Sequence, residues 1–275
     1  MVSGSQGETV TLENGATIWF RRQGSGAAVL HIHGSAFGHR NFERLTPLLV
    51  DRFEVIDFDL PGYGLSKGGP TPKGMDGLAD EVAAFIATRG YERLHVHGTS
   101  FGAMIGLTLA ARHPARIDRL VLSCFLARYD NAARMMRSTW KRAARDSGMA
   151  AVADLTSVAG FARKFYELPW AEEQLQSMRD AFSHTEPAAF VASTEAIERT
   201  DLSPLVEQVV APTLLIAGDE DNMTPFEPAA SGVGMSQISK MIPGAKTAIL
   251  PECGHYLVIE AAERAAELIA EFLQP

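Results

Sequence analysis

The chain has 275 residues, 46% of them hydrophobic, and its 25 Lys and Arg stand against 33 Asp and Glu, a formal net charge of −8. This length allows one large α/β domain or two small ones, with a core that needs no disulfide or metal. The negative charge argues against nucleic acid as a partner, because phosphate binding needs clustered Lys and Arg. We find no apolar leader, no membrane-length apolar run and no C-x-x-C spacing between Cys124 and Cys253. We therefore expect a cytoplasmic protein with no membrane partner.

The order of the predicted elements is typical of a mostly parallel, doubly wound α/β sheet. Asn14-Gly15 predicts a hairpin turn at the start of the chain. Apolar runs then alternate with amphipathic stretches, the pattern of βα units with helices on both faces of the sheet. We predict strands at 9–12, 17–21, 28–32, 53–58, 94–97, 117–123, 213–218 and 246–250, and helices at 42–50, 75–89, 100–113 and 261–273. Residues 126–200 contain no β-branched run and indicate several helices, inserted into a core of residues 1–125 and 201–275.

The pattern G-x-S-x-G at residues 98–102 lies between a predicted strand and a predicted helix. Gly98 and Gly102 flank Ser100, which indicates a nucleophile elbow, a tight turn that lifts the serine hydroxyl clear of the sheet. The same turn directs the backbone N–H of Phe101 at the group that the serine attacks. Ser100 could instead be an ordinary helix N-cap, but the flanking glycines and the partners described next favour a nucleophile.

A serine nucleophile needs a histidine base, and that base needs a carboxylate to orient it. In a parallel sheet, reactive side chains gather just after the carboxyl ends of the strands. His255 follows the strand predicted at 246–250, and Asp219 and Asp221 both follow the strand predicted at 213–218. The chain order Ser, Asp, His is the order associated with this elbow. Both aspartates lie in the same turn, so their positions do not show which of them orients the histidine.

These motifs resemble those of the α/β-hydrolase fold family, and the resemblance covers nearly the whole chain. It is carried by the elbow, the loop at His33-Gly34, the segments 59–66 and 218–225, and Gly254-His255. The resemblance implies that Asp221 is the acid. It also implies that the N–H of Ser35, with Ala36 beside it, is a second oxyanion donor, and that residues 126–200 form a helical cap over the pocket.

We predict a hydrolase of a small carboxylic ester or lactone that works through an acyl-enzyme on Ser100, without a cofactor. His255 would be the base, Asp221 would orient it, and the N–H groups of Phe101 and Ser35 would bind the oxyanion. We place Ala36, Trp140 and Tyr256 at the substrate pocket. A small molecule is the expected partner, and a homodimer remains open.

Three alternatives stay open on the same fold. One is hydrolysis of a carbon-carbon bond in a ring-fission dienoate, because residues 33–35 resemble the loop of that subfamily, although Tyr256 stands where those relatives usually carry Trp. Another is a cofactor-free dioxygenase that keeps the His-Asp pair. A third is a ligand receptor with slow turnover, which the complete triad disfavours.

The stretch 128–145 carries six Lys and Arg and one acid, Asp130. A solvated helix face is the simpler interpretation, and like charges repel there. The alternative is that one arginine turns inward and holds a substrate carboxylate in a bidentate pair.

Four histidines, at positions 31, 33, 95 and 97, lie at the ends of two predicted neighbouring strands. We interpret them as structural and predict no metal site, because no carboxylates or thiols accompany them to complete a ligand set.

Overall fold

A computed structural model of the chain describes residues 7–67 and 74–274. Its strands are β1 (Glu8–Thr11), β2 (Thr17–Gln23), β3 (Ala27–Ile32), β4 (Phe53–Phe58), β5 (Leu94–Thr99), β6 (Ile117–Ser123), β7 (Thr213–Gly218) and β8 (Lys246–Leu250). Its α-helices are α1 (Gly74–Thr88), α2 (Phe101–Arg112), α3 (Asn131–Asp146), α4 (Met149–Gly160), α5 (Ala171–Ser183), α6 (Pro187–Arg199), α7 (Ser203–Val206), α8 (Met235–Met241), α9 (Leu257–Glu260) and α10 (Ala262–Leu273). Among the described residues, no helix is both long and apolar enough to cross a membrane.

The eight strands form one sheet in the order β1-β2-β4-β3-β5-β6-β7-β8. The pairs β1-β2 and β2-β4 are antiparallel and all other neighbours are parallel. Gly15 turns the opening hairpin with a φ of 85°, as the Asn-Gly pair predicts. The predicted fold class is therefore confirmed, and the loops that follow β3, β5, β7 and β8 meet at one edge of the sheet.

Two apolar layers cover the two faces of the sheet. Neighbouring residues of a strand point to opposite faces, so Leu30 packs in the layer that contains α1, α2 and α8. Val29 packs in the other layer, with α10 and much of the segment between β6 and β7. Burial on both faces explains why the central parts of the parallel strands are mostly apolar.

The prediction of a helix at 42–50 is wrong. Two short 3₁₀ helices, Gly38–Phe42 and Thr46–Leu48, occupy this region instead. Pro47 has no N–H to donate and would break a continuous α-helix. The Thr46 hydroxyl is also committed to the carboxylate of Asp57, at 2.9 Å. The short helices α7, α8 and α9 were not predicted.

The segment between β6 and β7 is helical, as the absence of β-branched runs predicts. It contains α3 to α6, between residues 131 and 199. The N–H of Leu202 donates to the carbonyl of Ala127 at 2.9 Å, which closes the base of this segment. We refer to residues 126–200 as the helical insertion.

Candidate active site

Ser100 lies at the tip of the turn between β5 and α2 and has strained backbone angles, φ 55° and ψ −116°. A Cβ atom on Gly98 would collide with the carbonyl of Gly102, and one on Gly102 would collide with the carbonyl of Ile32. Both flanking positions therefore require glycine. The strained turn presents the serine side chain at the carboxyl edge of the sheet.

Three side chains from separate loops meet at this turn. The Nε2 atom of His255 lies 2.9 Å from the Oγ atom of Ser100. The Nδ1 atom of the same ring lies 3.0 Å from the Oδ2 atom of Asp221. All three residues are buried. The arrangement can hold the imidazole with Nε2 free to accept the serine proton while Nδ1–H donates to the carboxylate.

Asp221, and not Asp219, is the aspartate that contacts the histidine. Its Oδ1 accepts the N–H groups of Met223 and Thr224, each at 2.9 Å, and its Oδ2 accepts the Thr224 hydroxyl at 2.7 Å. Burial alone would raise the pKa of Asp221, but the charge of His255 and these hydrogen bonds hold that pKa below its usual value. Asp219 is exposed and accepts the N–H of Cys253 instead.

Two backbone N–H groups near Ser100 are available to an oxyanion. Among the described residues, neither the N–H of Ser35 nor that of Phe101 donates to a protein acceptor. The Ser35 loop is held by His33, whose Nδ1 lies 2.7 Å from the carbonyl of Gly34 and whose Nε2 accepts the N–H of Leu60 at 2.9 Å. Burial lowers the pKa of His33, so it remains neutral and structural, as predicted.

A pocket opens over Ser100 and His255. Trp140 and Tyr256, both predicted at the pocket, line it. Ala36 does not: its backbone turns through a left-handed φ of 70°, and its neighbours Ser35 and Phe37 face the pocket instead. The cavity measures about 30 Å³, room for one or two water molecules.

Comparison with known protein families matches residues 27–262 to the alpha/beta hydrolase fold. The chain belongs to the alpha/beta hydrolase fold family. It is 30% identical over 249 residues to the pimeloyl-[acyl-carrier protein] methyl ester esterase of Nitrosomonas europaea, covering 87% of this chain and 93% of the relative. It is 25% identical to the 2-(acetamidomethylene)succinate hydrolase of Mesorhizobium japonicum, covering 94% and 91%.

A solved structure of this family has the same architecture over almost the entire chain. The enol-lactonase from Burkholderia xenovorans LB400 superposes with a TM-score of 0.86 and is 25% identical, covering 97% of this chain and 99% of that one. The architecture that places the Ser100 loop beside the His255 loop is thus that of an alpha/beta hydrolase.

Each long helix of the insertion contributes to the pocket of this alpha/beta hydrolase. Trp140 of α3, Thr156 of α4, Phe182 of α5 and Phe190 of α6 line it together with Ser100. The pocket is therefore mostly apolar on the insertion side, a composition typical of small-molecule sites. Arg137 of α3 is the charged exception.

Two residues at the site escaped the sequence analysis. The Thr224 hydroxyl lies 3.0 Å from His255 Nδ1 and donates to Asp221, so it helps to fix the acid. The Glu260 carboxylate accepts the N–H of Ala162 at 2.9 Å and that of Gly254 at 3.2 Å. The only feature of the sequence that could have indicated a role for Glu260 is a carboxylate at the end of the apolar run 257–259.

Possible metal ligands in the described residues come together in one group, Cys124, Asp221 and His255, within 4.8 Å. Asp221 and His255 bind each other there. Burial raises the pKa of the Cys124 thiol well above its usual value. The Asp221 carboxylate also accepts three hydrogen bonds from Met223 and Thr224, so both it and the imidazole already have partners, and the group does not fit a metal ion.

The four histidines near the strand ends have separate roles. His31 contacts Asp57 at 3.0 Å, His97 contacts Ser123 at 3.0 Å, and His95 lies 3.3 Å from Asp118. With His33 committed to its own loop, the four rings do not converge on one point.

Proposed function

We propose that this protein is a serine hydrolase that cleaves a small carboxylic ester or lactone. The observation that carries the proposal is the line of hydrogen bonds from Ser100 through His255 to Asp221, at 2.9 and 3.0 Å. A serine hydroxyl is a weak nucleophile at neutral pH and becomes reactive when a base lies within hydrogen-bond reach.

The residues would act in two half-reactions. His255 removes the proton of Ser100 while the serine oxygen attacks the carbonyl carbon, and Asp221 stabilises the imidazolium. The N–H groups of Phe101 and Ser35 donate to the oxyanion. The imidazolium protonates the departing alkoxide and leaves an acyl group on Ser100. His255 then takes a proton from water as the water oxygen attacks the acyl carbon. The imidazolium returns this proton to the Ser100 oxygen as its bond to the acyl carbon breaks, which releases the carboxylic acid and restores the serine.

The names of the relatives support an ester or lactone as the substrate class. The esterase of Nitrosomonas europaea is a methyl ester esterase and the Burkholderia xenovorans protein is an enol-lactonase. We propose that residues 126–200 act as the cap over the site, because each of the helices α3 to α6 supplies at least one residue to the lining of the pocket. The shape of that cap would select the acyl group.

Hydrolysis of a carbon-carbon bond is a second candidate. The 2-hydroxymuconate semialdehyde hydrolase of Pseudomonas sp. strain CF600 is 27% identical over 257 residues. Parallel assays with a vinylogous 1,5-diketone acid and with simple esters separate the two candidates. Faster turnover of the diketone acid, with release of a carboxylic acid, would favour the second.

The serine proposal is tested with Ser100→Ala and a matched control, Ser147→Ala, at an exposed position after α3. We expect Ser100→Ala to lose hydrolysis of 4-nitrophenyl acetate by about 10⁴-fold or more, and Ser147→Ala to keep it. Phenylmethylsulfonyl fluoride should add one sulfonyl group to Ser100, located by peptide mass spectrometry. Labelling of another serine, or turnover retained by Ser100→Ala, would refute the proposal.

A further inference from the structure

Arg137 is buried in the wall of the pocket that contains Ser100 and His255, with 4% of its surface exposed. We propose that its guanidinium binds a carboxylate on the acyl part of the substrate, so that the preferred substrate is an ester or lactone of a dicarboxylic acid. This inference rests on the proposed hydrolase function and adds the substrate class to it.

The other Lys and Arg side chains near α3 either pair with a carboxylate or are exposed to water. Lys141 pairs with Glu198 at 2.6 Å, Arg145 with Glu195 at 3.3 Å and Arg128 with Asp201 at 3.2 Å. Arg134 and Arg142 are exposed to water. Arg137 is buried, and no carboxylate oxygen of the described residues lies within 4.0 Å of it. The basic stretch is therefore a solvated and paired face with one inward exception.

Neutral groups hold the Arg137 guanidinium in place. It donates to the hydroxyl of Tyr129 at 2.6 Å, and its central carbon lies 4.8 Å from the Tyr129 ring and 5.4 Å from the Trp140 ring. Such rings stabilise a cation less than its burial costs. A guanidinium has five N–H donors, and the Tyr129 hydroxyl uses one. An anion that enters the pocket would complete the pairing.

A single carboxylate fits this position. A planar carboxylate accepts two parallel hydrogen bonds from an arginine fork, and Arg137 is the only Lys or Arg among the described residues that line the pocket, so one carboxylate charge balances it. Phe182 and Phe190, which line the same pocket, provide apolar surface for methylene groups. A dicarboxylic acyl chain would thus place one carbonyl at Ser100 and its far carboxylate at Arg137.

The kinetic test compares matched esters that differ only at the far end of the acyl chain. The mono-4-nitrophenyl esters of succinate, glutarate and adipate are paired with 4-nitrophenyl butanoate, pentanoate and hexanoate, in which a methyl group replaces the carboxylate. Hydrolysis without enzyme is subtracted. We expect one chain length to give a kcat/KM higher for the acid than for its neutral partner.

The variants Arg137→Met and Arg137→Lys locate the effect. We expect Arg137→Met to lower kcat/KM for the preferred half-ester about 50-fold, mainly through a higher KM, because one charge-assisted pair is lost. The kcat/KM of the neutral ester should change less than about 3-fold. Arg137→Lys should recover part of the loss. Arg134→Met, which removes an equal charge from the exposed face of α3, should change neither ester.

The outcomes separate this inference from the proposed function. Equal losses on both esters in Arg137→Met would mean that Arg137 only packs the pocket and would overturn the inference. If Arg137→Met does not fold, Tyr129→Phe replaces it: it keeps the ring and removes the hydroxyl bound to Arg137. Its effect should again fall on the half-ester, and equal losses on both esters would overturn the inference.

Binding is measured independently of turnover in the Ser100→Ala protein. Titration with glutarate and adipate, against pentanoate and hexanoate, should raise the melting temperature with the diacids only, and the rise should disappear in Ser100→Ala/Arg137→Met. Diacid binding by Ser100→Ala, combined with a parent protein that hydrolyses no ester, would refute the proposed function and leave the carboxylate site standing. Hydrolysis of esters with no preference for the diacids would overturn the carboxylate site and leave the proposed function standing.

Discussion

The backbone N–H of His255 donates to the carbonyl of Gly160, 2.6 Å away, at the last residue of α4. The loop that carries the proposed base is therefore bonded directly to the helical insertion. Glu260 adds a second connection, because its carboxylate accepts N–H groups from both sides of the contact, at Ala162 and at Gly254. Through these hydrogen bonds, the position of the insertion is coupled to the position of the imidazole.

A substitution that adds a side chain at Gly254 tests this connection through a steric clash. A Cβ atom at this position would collide with the Gly160 carbonyl and lie 2.8 Å from the Ala162 nitrogen, both backbone atoms with no freedom to rotate away. We expect Gly254→Ala to lower kcat about 100-fold, because a displacement of about 1 Å at a catalytic group has effects of that size. Ester hydrolysis and thermal unfolding measure the activity and the stability separately.

The control for this variant is Gly244→Ala. Gly244 has a φ of 71°, and a Cβ atom there has no neighbour within 4 Å. We expect a stability loss of about 1 kcal/mol from the left-handed backbone and an unchanged kcat. Full activity in Gly254→Ala would show that the contact between the insertion and the His255 loop does not set the position of the base.

The two aspartates of the loop after β7 make a second pair of variants. Asp221→Asn should lower kcat by about 10³- to 10⁴-fold, because the amide cannot stabilise the imidazolium or hold the required tautomer. Asp219→Asn should change kcat less than about 3-fold, because Asp219 is exposed and contacts a backbone N–H instead of the ring. Steady-state hydrolysis of 4-nitrophenyl acetate measures both, and similar losses in the two variants would contradict the assignment.

The sheet and the residues that meet at its edge can be predicted from the sequence because local sequence signals specify them. Asn14-Gly15 determines the hairpin, the flanking glycines make the turn at Ser100 tight, and each proposed catalytic residue follows a strand. The choice between Asp219 and Asp221 required the family resemblance, since both lie in one turn. The structure separates them by burial: Asp221 is 3% exposed.

The remaining features depend on contacts between distant segments, which no local pattern encodes. The sequence indicated a basic helix, but only the fold determines that Arg137 faces Tyr129 and the pocket while Arg134 faces water. Glu260 is placed by Ala162, 98 positions earlier in the chain. Ala36, which was expected at the pocket, is not among its lining residues, and no pattern in the sequence indicates the left-handed φ of 70° at this position.

Glu260 makes the stability of the protein depend on pH near neutrality. Burial raises the pKa of this carboxyl from 4.5 to about 7, against the opposing hydrogen bonds from Ala162 and Gly254. A carboxyl with a raised pKa binds its proton more tightly in the folded state, so its contribution to stability is complete below about pH 4.5 and is lost as the pH rises through 7. The free energy involved is about 3 kcal/mol at most.

Glu260→Gln should remove this dependence and keep the contacts. The Oε2 atom accepts both N–H groups, and an amide oxygen in its place can do the same, while the bond from Gly254 to Oε1 is lost. The difference in free energy of unfolding, Glu260→Gln minus the parent protein, should rise by about 2–3 kcal/mol between pH 5 and pH 9 in urea titrations. Glu271→Gln, at an exposed carboxylate of α10, should give a flat difference. A flat difference for Glu260→Gln as well would mean that the buried carboxyl ionises at its ordinary pKa, and that its charge does not oppose folding at neutral pH.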